Sequence, residues 1–127
     1  MIKVSYDEPR NVVILEFSGK IDTSHAEQSY REIQKVIPNH QKGFRVLTDL
    51  SFLESADPKI LNVLKKSMDY FNLHGVKEVL RVIPDPEKDI GFNILSLFHY
   101  SKDVICLTLQ SREEAQARLS AFHPKDF

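Results

Sequence analysis

A single-domain α/β fold with a mostly parallel sheet is the class this sequence predicts, on two observations. Short runs of β-formers alternate with segments of helical periodicity along almost the whole chain, and the first two runs are separated only by a turn. Alternation demands crossover connections, which are right-handed, whereas the opening pair supplies an antiparallel hairpin at one side of the sheet. The predicted order is β-β-α-β-α-β-α-β-α over residues 1–122, with flanking helices and a frayed tail at 123–127.

Residues 2–6 alternate as a short strand, and Asp7-Glu8-Pro9-Arg10-Asn11 turns the chain into "VVILEFSG", a second strand ending at Gly19. Ser24 and Glu27 then have capping-box spacing. Ala26, Tyr30, Ile33 and Ile37 recur at helical intervals until Pro38-Asn39, which gives helix one. Gly43 precedes the third strand, "FRVLTDL". Asp57 is the expected N-cap of helix two with Pro58 at its first position, and Ile60, Leu64, Met68 and Phe71 carry its apolar face as far as Gly75. "VKEVLRVI", closed by Pro84-Asp85-Pro86, is strand four. "DIGFNILSLFHY" is an apolar helix three, expected to be deeply buried or at an interface. "DVICLTL" is strand five. Ser111 and Glu114 then form a second capping box before Ala115, Leu119 and Phe122 on helix four.

Composition narrows the function classes. With 127 residues, 42% of them hydrophobic, the chain is long enough to bury a core without disulfides or metal. A net charge of -1 with both signs interspersed argues against nucleic acid as a partner. The N-terminal segment lacks an apolar h-region and no run approaches the ~20 residues that span a bilayer, so a protein without membrane span is expected. The single cysteine, Cys106, lies in an apolar strand and reads as a small buried side chain, consistent with a cytoplasmic location.

Catalytic signatures are missing. The four glycines form neither a dinucleotide fingerprint nor a phosphate loop, and the five histidines are scattered without metal-ligand spacing. No nucleophile elbow is present, and a mid-strand Cys106 is badly placed to act as a thiolate. Asp49, near the end of the third strand, sits where a phospho-accepting receiver domain carries its aspartate, but the acidic pair and the lysine of such a domain are absent. A strand-end carboxylate accepting nearby backbone amides is the expected role. No enzyme activity, cofactor or metal is therefore expected.

Three segments carry a family resemblance: "FSGKID" at 17–22, "VLTDLSFLESADPKILNVL" at 46–64 and "LQSREEAQARL" at 109–119. With the element order, they make the chain resemble the STAS domain family, named for sulfate transporters and anti-sigma-factor antagonists and including the SpoIIAA-like anti-anti-sigma proteins. The resemblance implies a small regulatory module that binds a protein partner, anti-sigma-like or another regulator, through the loop after strand three and the first turns of helix two. In the family's best-understood branch a serine at that helix start is phosphorylated, which switches partner binding. Aligned without gaps from Asp49, Asp57 falls on the motif aspartate, but Pro58 and Lys59 occupy the serine positions and Ile60 the glycine position. The usual phosphoacceptor is thus absent, and only a shifted alignment nominates Ser55.

The resulting candidate partner surface is Asp49, Ser51, Phe52, Ser55, Asp57 and Lys59. Phe52 and Leu53 are both expected to pack back under helix two. The alternative function is a lipid or small apolar ligand held in a pocket near helix three, lined by Phe92, Leu95 and Phe98. A homodimer is compatible with either reading.

Overall fold

The structure is a computed structural model describing residues 1–37 and 42–120, without the side chains of residues 97 and 98. Its order is β1 (Ile2–Asp7), β2 (Val12–Ile21), α1 (Thr23–Val36), β3 (Arg45–Ala56), α2 (Ile60–Leu73), β4 (Glu78–Val82), α3 (Phe92–His99), β5 (Ile105–Leu109) and α4 (Arg112–Ser120), with a 3-10 turn at Pro86–Lys88. The predicted Pro38-Asn39 turn, Phe122, the side chain of Phe98 and the 123–127 tail lie outside the described residues.

The five strands follow one another across the sheet in chain order, β1 antiparallel to β2 and every later pair parallel. That order settles where the helices go. Each right-handed crossover advances one strand in the same direction, so α1, α2 and α3 share one face of the sheet. Strand alternation sorts the core accordingly. Val13, Leu15, Phe17, Val46, Leu50 and Val79 join the large cluster under these three helices. Val12, Ile14, Leu47, Leu80 and Val82 face the other way, where Ala115 and Leu119 of α4 cover them. Coverage on both faces is why strands three and four read as nearly continuous apolar runs.

Several local expectations are corrected. β3 does not stop near Leu50 but continues to Ala56, because Ser18 to Ile21 of the ten-residue β2 pair with Phe52 to Ala56 after a register shift. A second shift falls at Gly19, whose φ of +72° a side chain would disfavour. The cap of α1 is Asp22 rather than Ser24: its carboxylate accepts from the His25 amide while the His25 ring accepts from the Asp22 amide, a capping box one step earlier. Helix α2 begins at Ile60. Asp57 instead caps a preceding turn, accepting from the Lys59 amide at 2.9 Å, and the turn leads into the helix through i to i+3 bonds from Asp57, Pro58 and Lys59 carbonyls. At α4, Ser111 Oγ accepts from the Glu114 amide, but the Glu114 carboxylate reaches the Gln110 amide instead of completing the box at Ser111.

Candidate functional site

The two segments "FSGKID" and "ESADPK" lie side by side. Gly19 pairs with Leu53, Lys20 with Ser55 and Ile21 with Ala56, and the Asp57 amide donates to the Ile21 carbonyl at 2.9 Å. The ends of β2 and β3 therefore project together beyond β4, whose pairing with β3 ends at Asp49 and Val82. A ribbon of this kind, at the carboxyl ends of parallel strands, is where open α/β sheets usually bind ligands.

Alternation along this extension decides what it shows to solvent. Leu53 points inward and is 4% exposed, whereas its neighbour Phe52 is on the opposite side and 76% exposed. The expectation that both pack under helix two fails for Phe52: Leu50 already points to the helix side, and the register shift between Asp49 and Phe52 resets the alternation so that Leu53 turns inward and Phe52 outward. Ser55, Asp57, Pro58 and Lys59 are exposed as well, and Ser51 is half-buried. Five of the six predicted surface residues thus share one continuous stretch with solvent access.

Asp49, the sixth, is internal at 4% exposure. Its Oδ1 accepts from the Ser51 amide at 2.9 Å and from Ser51 Oγ at 2.6 Å, the expected amide-accepting role, but from within the longer β3 rather than at a strand end. Its Oδ2 accepts from Arg112 Nη1 at 2.9 Å, and the same Nη1 reaches Glu16 at 3.3 Å, beside Asp49 in the sheet register. The buried carboxylate is thereby neutralised by the first residue of α4, and it fixes where Ser51 and the emerging ribbon begin. Arg112 was not singled out from sequence. Its only signal there is its position just after the Ser111 cap, which does not reveal a partner 63 residues away.

No cofactor site is built from this ribbon. Among the described residues no group of three His, Cys, Asp or Glu side chains could hold a metal, and no helix is long and apolar enough to cross a membrane. The described histidines have local roles: His25 closes the α1 cap, His99 pairs with Asp69 at 2.7 Å, and the His74 ring stacks beside Tyr70. Cys106 is half-buried on the edge strand rather than enclosed, and burial still raises its thiol pKa, so the thiol form is favoured.

Beneath α3, Phe92 and Leu95 are both buried, with Phe92 edge-on to Phe17 at 6.1 Å between ring centres. Phe92 lines an internal cavity of about 20 Å³; Leu95 belongs to the core beside it. That volume accommodates about one water molecule. The residue that dominates this region is Arg81, 4% exposed on β4, which in sequence is one charge inside an apolar strand. Helix α3 also has an outward face, where Ile94 is 64% exposed.

No family model and no curated protein matches the sequence. Among solved structures the fold is similar to the anti-sigma factor antagonist SpoIIAA in its unphosphorylated form, with a TM-score of 0.66 and 15% identity over 96% of this chain and 100% of that one. It is similar to an uncharacterized protein with a SpoIIAA-like fold from Shewanella loihica, with a TM-score of 0.69 and 12% identity over 94% of this chain and 92% of that one. An anti-sigma factor antagonist from Mycobacterium paratuberculosis matches with a TM-score of 0.60 and 16% identity, over 95% of this chain and 94% of that one. The chain therefore has a STAS-like, SpoIIAA-like fold, as its element order predicts.

Proposed function

We propose that this STAS-like domain is a non-enzymatic regulatory module that binds a protein partner through the ribbon at the end of β3 and the turn into α2, without a serine phosphorylation switch. The single observation that carries the reading is Phe52. A phenyl ring 76% exposed on a paired strand between two register shifts, near Ser55, Asp57 and Lys59, is an aromatic anchor with a polar surround. Anchors of this type recover, when covered, transfer free energy of about 1.5–3 kcal/mol. Two structures with the same fold are anti-sigma factor antagonists, which supports a regulatory protein as the partner class.

Local chemistry supports the absence of a switch. A phosphate at a helix start is stabilised by free amides and the macrodipole. Here Asp57 places a carboxylate on the Lys59 amide just before α2, the Ile60, Leu61 and Asn62 amides already donate to the Asp57, Pro58 and Lys59 carbonyls, and Pro58 and Lys59 occupy the positions where the resemblance would place serines. Ser55, the acceptor under a shifted alignment, sits in β3 opposite Lys20 rather than on the helix start, so a phosphate there would gain little from α2.

Affinity capture from the protein's own cells tests the reading, using wild type and the variant Phe52→Asp/Asp57→Ala/Lys59→Glu. The partner is expected with wild type and lost with the variant; equal recovery would remove the ribbon from consideration. The second reading, a small apolar ligand near α3, is checked by native mass spectrometry of the purified protein; the cavity bordered by Phe92 has room for about one water molecule, so such a ligand would require α3 to move.

A further inference from the structure

Among the described residues, Arg81 is buried as a cation without a counter-charge. On the three-helix face of the sheet it lies in register between Thr48 of β3 and Thr108 of β5, forming a polar row inside an otherwise apolar layer. Its Nη1 donates to the Phe92 carbonyl at 3.2 Å and to Ser96 Oγ at 2.5 Å, and its Nη2 donates to Thr108 Oγ1 at 3.2 Å. All three acceptors are neutral. Its Nε has no partner, and among the described residues no carboxylate pairs with it. The Phe92 carbonyl and Ser96 belong to the first turns of α3, the positive end of that helix, so the dipole gives no compensation. A buried guanidinium in such surroundings carries a large desolvation cost that neutral acceptors offset only in part.

The same side chain forms the floor of an open groove of about 550 Å³ bounded by α3, the 100–104 connection and β5. Tyr100, Val104 and Cys106 give it apolar walls, Asn93 and Ser101 a polar border, and Lys102 a second cation, with no acidic residue among the described lining residues. The volume suits a small organic molecule. Its charge pattern suits an anion.

We propose that this groove binds a small carboxylate with an apolar body, and that Arg81 is the residue that receives the carboxylate. A single buried guanidinium matches one negative charge, and the Nη2 N–H not given to Thr108 is the donor left for a carboxylate oxygen, Nε being enclosed, whereas a phosphate dianion calls for a Gly-rich amide cradle or several cations. The apolar body lies along Tyr100, Val104 and Cys106, and Lys102 draws the anion toward the groove from the rim. This site is separate from the β3 ribbon, and its outcome does not bear on the partner reading.

Octanoate is the probe, compared with octanol and with inorganic phosphate, using amide chemical-shift titration and thermal melting. Octanoate is expected to saturate, to shift the amides of Ser96, Tyr100, Ser101 and Cys106, and to raise the melting temperature. Octanol and phosphate are expected to bind at least tenfold more weakly. Arg81→Met removes the charge at similar volume and should weaken octanoate at least tenfold, while Val104→Trp fills the groove and should block it with Arg81 intact. Equal binding of octanol would leave a merely apolar groove, and equal binding of phosphate would overturn the carboxylate assignment. Failure of octanoate to saturate, or undiminished binding by Arg81→Met, would overturn the site. Should Arg81→Met not fold, unchanged octanoate binding by Val104→Trp would overturn it by itself.

Discussion

Replacing Arg112 by Ala removes the only cation that contacts Asp49 among the described residues. Asp49 has a side chain 5% exposed, and its Oδ1 keeps the amide and hydroxyl of Ser51, but Oδ2 loses its 2.9 Å bond to Nη1. Removing one partner of a fully buried pair typically costs about 3–5 kcal/mol. Here Arg112 is 32% exposed and Asp49 retains two donors, so solvent screening reduces the expected loss to about 1.5–2.5 kcal/mol. Glu16 is a built-in control, since it meets the same Nη1 at 3.3 Å with a side chain 41% exposed; Glu16→Gln should cost no more than about 0.5 kcal/mol. Asp49→Asn combined with Arg112→Leu should recover much of the loss, because the uncompensated charge is then gone. Urea unfolding followed by circular dichroism reads all three variants, with unchanged m-values needed to compare midpoints. An Arg112→Ala loss below about 0.5 kcal/mol, or a double variant no better than the single one, would refute the view that a buried charge pair anchors the start of the ribbon.

The alternation at the end of β3 predicts opposite results for neighbours: Leu53→Ala should destabilise by about 2–4 kcal/mol and Phe52→Ala by no more than about 0.5, measured by the same unfolding. Asp57→Ala should cost about 1 kcal/mol by releasing the Lys59 amide and loosening the turn into α2, with slower-decaying protection of the Ile60–Asn62 amides in wild type than in the variant by hydrogen exchange. Burial raises the Tyr100 phenol far above the ordinary tyrosine value, with smaller contributions from Cys106 and Asp69 against the lowering by Arg81. Because the folded value is the higher one, the stability Tyr100 contributes is complete below the unfolded tyrosine value near pH 10 and declines as pH rises beyond it. Ultraviolet titration should therefore show one of the four tyrosines ionising well after the others, with Tyr6 also raised by burial and by Glu8 and Asp7, and four ordinary transitions in the folded protein would contradict this.

How far the fold could be read from sequence follows from which signals are local. Element order and the hairpin were legible because alternation, turn residues and capping residues act over a few positions, and right-handed crossovers then leave little choice of topology. The end of β3 was not, since Phe52 to Ala56 become strand by pairing with Ser18 to Ile21 across a register shift, and neither segment alone carries that information. For the same reason Phe52 was placed under a helix when it faces solvent. At the α1 start, two overlapping caps compete; Asp22 wins because the His25 ring can complete its box. The candidate site was legible in location through Asp57, Pro58 and Lys59, while Arg112 and Arg81 owe their roles to partners far along the chain. Arg81 in particular looks in sequence like an ordinary interruption of an apolar strand, and only the packing of α3 over it shows a charge enclosed.

Partner binding at the β3 ribbon without serine phosphorylation is the central claim, and mass analysis of the protein captured with its partner from its own cells measures it most directly. The expected result is the unmodified chain in both the free and the partner-bound fractions, with Phe52→Asp/Asp57→Ala/Lys59→Glu found only in the free fraction. Stoichiometric phosphate on Ser51 or Ser55 that distinguishes the two fractions, or the variant recovered with the partner as well as wild type, would contradict the account.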